Sequence, residues 1–351
     1  SELIKYKYFF NTKSDTEVIL KSYLKWDLEF INKLRGMFSI IIFDGRKNKV
    51  FFFRDRLGQK PLFYSFYEDG IILSSEIKDI VSIKKKIEPN SKTIQKYLFR
   101  GWCDDNSDTF IKGIKSVNPG HFGFFSKKEF VIKKYWDLKY SNKNNYNSEE
   151  FKELFEENMK LHLRSDVPVA FTLSGGIDST SIVNASLKFK IKQYQTYSVS
   201  SDFRNINDEK AIIKKFVKKY NINHKFIKIN FENKKDILEE YLKFQDEPIN
   251  HISFLYQYLI RKEIKKDGFK VLLNGEGGDE VFGGYIRMFE PYLIENFIKK
   301  KISIPSEFKI NFERISGIKF NNYFKKILKN YLSKNKKDND IEDDSIFNFT
   351  K

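Results

Sequence analysis

Two glycine-centred stretches carry the residues of this chain that could do chemistry. The first, Val167 to Ser181, reads VPVAFTLSGGIDSTS: a short, β-branched apolar run that breaks at Ser174-Gly175-Gly176 and restarts as Ile177-Asp178-Ser179-Thr180. A run of that kind predicts a buried parallel strand entering a tight loop that opens a helix. Gly175 and Gly176 let the backbone approach a ligand, while Ser174, Ser179 and Thr180 add hydroxyls beside the amides that a helix start leaves unpaired. Phosphate is the natural guest. The second stretch, Asn274 to Tyr285, reads NGEGGDEVFGGY and also follows an apolar run. Five glycines and three carboxylates in twelve residues make a poor core and a poor helix. As a lone segment it could be an acidic surface turn. Carboxylates beside a phosphate loop, however, need a cation between the two, and magnesium takes one or two carboxylates plus phosphate oxygens.

Known phosphate loops narrow the first reading. No Gly-Lys-Ser/Thr follows at P-loop spacing, and Gly-x-Gly-x-x-Gly is absent. Ser-Gly-Gly-x-Asp-Ser instead resembles the pyrophosphate loop of the ATP pyrophosphatases, which cleave ATP between its α and β phosphates and adenylylate a substrate.

The elements that would position these loops alternate. A helix is expected over Glu149 to Leu163, strands over Tyr194 to Val199, His224 to Ile229 and Lys270 to Leu273, and helices over Asp208 to Tyr220, Lys235 to Phe244 and Phe254 to Lys266. That order predicts an open, doubly wound parallel sheet, with ligands at the carboxyl ends of its strands.

The first third reads differently. Residues 3–10 (LIKYKYFF) look like a strand, Ser14-Asp15-Thr16-Glu17 supplies a helix cap, and Gly36–Asp44 with Lys49–Asp55 form a hairpin. Another strand from Ile71 leads into a helix, and His121 reads as a turn residue. The order S-D-T-E-V-I-L, G-M-F, R-D-R-x-G-x-K-P-L-x-Y and S-S-E-I-K resembles the second half of the glutaminase domain of class II, N-terminal-nucleophile amidotransferases. The resemblance implies an antiparallel-sheet domain that binds L-glutamine, with Asp15 at the substrate's α-ammonium; helix capping is the plainer role for Asp15. The family's leading cysteine, its clamping arginine and its Asn-Gly-Glu oxyanion segment have no counterpart here. Cys103 does not replace that nucleophile: it lies among acidic residues that raise a thiol's pKa, with no histidine nearby in sequence.

Together the two loops resemble glutamine-dependent asparagine synthetase, and Asp246-Glu247-Pro248 stands where that family has its own such triplet. The resemblance implies Ser174, Gly175, Gly176, Asp178 and Ser179 around the pyrophosphate of ATP, with Asp178 and Asp279 holding Mg2+. It also implies backbone at Leu173, Val199, Asn274 and Gly275 along the nucleotide, and Glu276 assisting formation of a β-aspartyl-adenylate. The expected organisation is a partial glutaminase domain over 1–137, a polar linker over 138–148 and an ATP-pyrophosphatase domain over 149–351. The family's later segment finds no match in residues 286–351, which read as helical and lysine-rich with a solvated tail around 338–349. The chain, which starts at Ser1, is thus expected to be cut at both ends.

Composition bounds the alternatives. Lys and Arg outnumber Asp and Glu by 64 to 47, giving +17, but the lysines are dispersed among Ile, Asn, Phe and Tyr, and no nucleic-acid-binding signature accompanies them. No specific nucleic-acid partner is expected. One cysteine excludes an internal disulfide framework and a cysteine-rich zinc site, and fits a reducing, cytoplasmic compartment. No apolar stretch of about 18 residues predicts a membrane span. The acceptor stays open between L-aspartate and another small carboxylate such as a cell-surface sugar acid, and a homodimer is one option for assembly. A tRNA-modifying pyrophosphatase and a non-catalytic nucleotide-binding fragment are the rivals.

Overall fold

The computed structural model describes residues 2–139, 147–189, 194–200, 207–228, 234–300 and 302–334. The chain divides into two units, Ser1–Tyr146 with Asn230–Tyr258, and Asn147–Ile229 with Leu259–Lys351.

In the first unit, α1 (Glu2–Lys5), α2 (Asp15–Trp26) and α3 (Phe30–Lys33) precede β1 (Ser39–Asp44), β2 (Lys49–Arg54), β3 (Phe63–Tyr67) and β4 (Gly70–Ser74). Helices α4 (Ile77–Lys84) and α5 (Ser91–Arg100) follow, then β5 (Ile114–Ser116), β6 (His121–Ser126) and β7 (Glu129–Lys134). Two antiparallel sheets result, ordered β1-β2-β6-β7 and β4-β3-β5. Three successive phenylalanines in β2 explain the layering, because a strand sends alternate side chains to opposite faces. Phe51 and Phe53 pack with Tyr23, Phe30 and Ile31 of α2 and α3, while Phe52 meets Leu62, Tyr64 and Val117 beside the smaller sheet. Helix α4 covers that sheet's other face through Ile77 and Ile80 against Ile114.

Residues 3–10 correct the expected strand. Local bonds win there: Tyr6 and Lys7 donate their amides to Leu3 and Ile4, Lys7 takes φ 63°, and Tyr6 packs edge-on against Trp26. His121 is likewise the first residue of β6 rather than a turn residue, its Nδ1 lying 2.8 Å from the Pro119 carbonyl.

The first unit also takes in a segment from far along the chain. Asp246 accepts from the amides of Ile77 (2.7 Å) and Lys78 (3.2 Å), capping α4, whose own N-cap residue, Glu76, offers no side-chain bond. Glu247 accepts from the Phe110 amide, Tyr97 Oη donates to the Ile249 carbonyl at 2.6 Å, and Asn250 Nδ2 donates to the Gly101 carbonyl. Burial pushes the Glu247 carboxyl up, while the Phe110 bond pulls the other way.

In the second unit α6 (Ser148–His162) leads to β8 (Val169–Thr172), α7 (Ile177–Leu187), β9 (Tyr194–Ser200), α8 (Asn207–Tyr220) and β10 (His224–Lys228). After α9 (Lys234–Phe244), which lies in the first unit's later segment, come α10 (Ser253–Lys266), whose first turns also belong to that segment and whose remainder from Leu259 belongs to the second unit, and β11 (Val271–Leu273). The four strands are parallel and ordered β10-β9-β8-β11. Val169 and Phe171 pack under α7 and α8, whereas Ala170 and Tyr197 meet Ile264 of α10, so helices cover both faces as the alternation predicted. Beyond lie α11 (Gly278–Phe282), α12 (Ile286–Leu293), a π-helical stretch at Ile294–Lys299, α13 (Ser306–Ser316) and α14 (Phe320–Lys334). These last helices, expected only as helical and lysine-rich, close around Leu293, Phe297, Phe312, Phe320 and Phe324. The expected linker lies mostly, and the expected tail wholly, outside the described residues. Among the described residues, no helix is long and apolar enough to cross a membrane.

Candidate functional site

Strand order decides where the site can be. From β8 the chain moves to β9 and β10 on one side, and β11 is then added on the other, so the crevice beyond β8 and β11 is the switch point of the sheet. In open α/β sheets that is where ligands bind. Both glycine-rich loops leave the sheet there, one from β8 and one from β11.

The first loop is held from beneath. Leu173, 2% exposed, donates its amide to the Tyr197 carbonyl at 2.8 Å and accepts from the Ser198 hydroxyl. Val199 follows on β9, paired with Ile227 of β10. The turn itself is tied by two serines: Ser179 Oγ lies 2.8 Å from Ser174 Oγ, accepts from the Ser174 amide at 3.0 Å, and is 6% exposed. Ser174 Oγ also accepts from the Gly176 amide at 3.2 Å. The Ser179 hydroxyl therefore shapes the loop rather than projecting from it. Gly176 is the N-cap of α7 and supplies no side-chain cap, which leaves first-turn amides open to an anion.

The second loop lies directly on the first. A Cβ on Gly275 would stand 3.0 Å from both Asp178 Cβ and the Ser179 amide nitrogen, and one on Gly278 would stand 2.6 Å from Asp178 Oδ2. Only glycine leaves room for this approach. Gly277 supplies the left-handed turn between them, at φ 90°. Asp279 is approached in the same manner: a Cβ on Gly284 would fall 1.8 Å from its Oδ1, and the Gly284 amide donates to its carbonyl at 2.8 Å. Glu276 is held by Asn274, whose Nδ2 donates to Glu276 Oε2 at 2.9 Å while its Oδ1 accepts from the Glu276 amide at 3.3 Å. The Arg261 guanidinium of α10 lies 3.6 Å from the same oxygen.

The structure thus brings together Ser174, Gly175, Gly176, Asp178, Ser179, Gly275 and Gly278, with Asn274, Glu276 and Asp279 on the same loop. Two further residues were not expected from sequence. Glu209 of α8 packs on the loop, its Cα, Cβ and Cγ 3.4 Å from where a Gly175 Cβ would be. The Arg261 pairing is the other, and it carries no local sequence signal. For Asn274 the spacing Asn-x-Glu was a usable sign, since an Asn side chain commonly bonds the backbone two residues on.

The donor set suits magnesium, being carboxylate oxygen on an accessible surface where the ion can keep waters and meet phosphate. Asp178 is partly exposed and Asp279 exposed. No group of three or more His, Cys, Asp or Glu among the described residues could hold a metal by itself, so phosphate and water oxygens would complete the coordination.

In the first unit Asp15 is the first residue of α2; Ser14 is the N-cap, accepting from the Thr16 amide. The Asp15 side chain makes no hydrogen bond or ion pair with another described residue, so capping does not occupy it. Cys103 is 8% exposed, and burial, with Asp104 and Glu247 adding, pushes its thiol up. A thiol held in this way is less readily ionised to the nucleophilic thiolate, and burial contributes more to that than the acidic neighbours.

The chain matches the asparagine synthase family over residues 150–342 and the glutamine amidotransferase domain over residues 1–136, so the family likeness continues well past residue 285 and corrects the expectation that residues 286–351 find no match. Putative asparagine synthetase (glutamine-hydrolyzing) 2 of Methanocaldococcus jannaschii is 32% identical over 299 residues, covering 82% of this chain and 57% of that protein. Asparagine synthetase (glutamine-hydrolyzing) 1 of Bacillus subtilis is 31% identical over 306 residues, covering 86% and 47%. Amidase chry2 of Gibberella zeae is 29% identical over 294 residues, covering 78% and 43%. The chain spans about half the length of the curated relatives it matches.

Proposed function

This chain belongs to the glutamine-hydrolysing asparagine synthetase family, and from that premise we propose that it carries the ATP-dependent half of an amidotransferase and part of its glutaminase half. Residues 1–137 form the glutaminase-type domain, with Asp15 toward glutamine's α-ammonium, 138–148 the linker and 149–351 the synthetase domain. The observation that carries the reading is the fit of Gly275 and Gly278 against Asp178 and Ser179 at the sheet's switch point.

A carboxylate is a poor electrophile until one of its oxygens becomes part of a leaving group. In the proposed first step an oxygen of aspartate attacks the α-phosphorus of ATP, the bond to the α–β bridging oxygen breaks, and pyrophosphate leaves. Ser174, Gly175, Gly176, Asp178 and Ser179 surround that pyrophosphate, with the open first-turn amides of α7 toward it, and backbone at Leu173, Val199, Asn274 and Gly275 lines the nucleotide. Asp178 and Asp279 would hold Mg2+, which when bound neutralises charge on the departing phosphates. Glu276 assists at the reacting carboxylate. Ammonia from glutamine then attacks the acyl carbon, AMP leaves with the electron pair of the cleaved C–O bond, and the new amide loses a proton to solvent.

The test is pyrophosphate release from ATP and magnesium against a panel of small carboxylic acids. Release with aspartate supports the acceptor proposed here, and release with a different acid alone replaces it. No release with any acid would leave the chain as a nucleotide-binding piece.

A further inference from the structure

We propose that Asn274 and Arg261 are positioning residues that hold Glu276 by one carboxylate oxygen and leave the other for the reacting group. This rests on the reading of Glu276 given above. Nothing in the proposed chemistry requires a side chain at position 274, where only backbone was expected to line the nucleotide. Yet the Asn274 amide engages Glu276 at both ends, donating to Oε2 at 2.9 Å and accepting from its backbone amide at 3.3 Å. Arg261 Nη2 lies 3.6 Å from the same Oε2. Glu276 Oε1 makes no hydrogen bond with another described residue.

The asymmetry has a chemical consequence. Glu276 follows a three-residue strand and precedes a five-residue helix, and its side chain is about half exposed. A side chain in such a place would otherwise sample its rotamers freely. The Asn274 hydrogen bond and the Arg261 ion pair, both on Oε2, restrict it. Oε1 then presents its lone pairs in a set direction. The arrangement suits a group that must accept a hydrogen bond at a fixed point beside the pyrophosphate loop. Asn274 is the stronger of the two holds, since an exposed ion pair at 3.6 Å contributes little by itself.

The experiment is a double-mutant cycle on carboxylate-dependent ATP–pyrophosphate exchange, using Asn274→Ala, Arg261→Gln and Glu276→Gln singly and in pairs. Asn274→Ala should lower kcat by roughly ten- to a hundredfold with KM for ATP within about twofold, the size expected when a reacting group is misplaced by about 1 Å. Arg261→Gln should cost up to about fivefold, and Arg261→Lys should recover most of it. In the Glu276→Gln background neither change should lower the rate further, because a positioning residue has nothing left to position. Additive losses there, or an Asn274→Ala effect confined to KM, would mean that these side chains only support the loop, and would overturn the proposal while leaving the adenylylation reading intact. Absence of exchange in the unaltered chain with every carboxylate would remove that reading, and the positioning role with it. Should Asn274→Ala fail to fold, as judged by its thermal transition, the Arg261 arm of the cycle decides by itself.

Discussion

Replacing Gly278 with alanine is the sharpest available perturbation of the site, because it changes one methyl group at the point where the two loops meet. The new Cβ would lie 2.6 Å from Cγ and Oδ2 of Asp178 and 3.1 Å from Oδ1, well inside the 3.4 Å at which ordinary contact begins. Gly278 has no positive φ, so alanine brings no backbone strain, and the colliding atoms are the end of a side chain that can turn. The displaced carboxylate costs roughly 0.5–1.5 kcal/mol if forced off its rotamer, so the fold should survive. Its alignment with a magnesium-bound phosphate should not. Calorimetry of ATP with and without magnesium should show affinity reduced about tenfold or more, equivalent to roughly 1.4 kcal/mol, only when the metal is present. Asp178→Asn should behave likewise, and the Gly278→Ala, Asp178→Asn double variant should be no worse than the poorer single one. Gly275→Ala supplies the contrast. Its neighbours at 3.0 Å include the Ser179 amide nitrogen, which cannot turn aside, so that variant should lose stability as well as affinity. If Gly278→Ala binds magnesium–ATP as tightly as the unaltered chain while Asp178→Asn does not, the packing of one loop on the other has been misassigned. If neither variant changes the magnesium dependence, Asp178 does not hold the ion.

Three further expectations concern the scaffold. Asp246→Ala should lower the thermal midpoint by removing both acceptors from the start of α4, a loss of about 1–2 kcal/mol for a helix cap that Asp246→Asn partly restores; an unchanged midpoint would show that Glu76 or water caps the helix equally well. His224, with Nδ1 2.8 Å from Thr196 Oγ1 and no partner at Nε2 among the described residues, is held neutral by burial, its pKa lowered from 6.5 to about 4. The unfolded chain then binds the extra proton, so stability should fall as pH drops from about 6.5 toward 4, by at most about 1.4 kcal/mol per pH unit; His224→Gln should flatten that part of the denaturant-midpoint profile, and an identical profile would place the pH dependence elsewhere. Cys103→Ala should leave any glutamine hydrolysis unchanged, and the native thiol should react slowly with a chromogenic disulfide at neutral pH; loss of hydrolysis in the variant would contradict its buried, acid-flanked setting.

What could be read from the sequence follows from how local each determinant is. The strand entering Ser174-Gly175-Gly176 announces itself because β-branched residues and paired glycines act within a few positions, and the alternating elements after it imply helices on both sheet faces. The meeting of Gly278 with Asp178 is not local. It depends on β11 joining the sheet beside β8, and no residue in either loop records which strand lies next to which. Arg261 was hidden for a related reason: α10 reads SFLYQYLIRKEIKK, where several basic side chains look alike, and only the packing of the helix turns one of them toward Glu276. Composition blurred the ends of the chain. With 36 phenylalanines and 19 tyrosines, an aromatic run means little by itself, so LIKYKYFF passed for a strand while the phenylalanines that join α12, α13 and α14 went unnoticed. The bond from Asp246 to α4 is the extreme case, spanning 169 positions. A carboxylate followed by Glu and Pro looks like any surface turn until the helix start it caps is placed beside it. The two loops proposed to hold ATP were therefore the easier ones to single out, because glycine is required wherever backbone approaches closely, whereas residues that hold other side chains in place use common types at ordinary spacing.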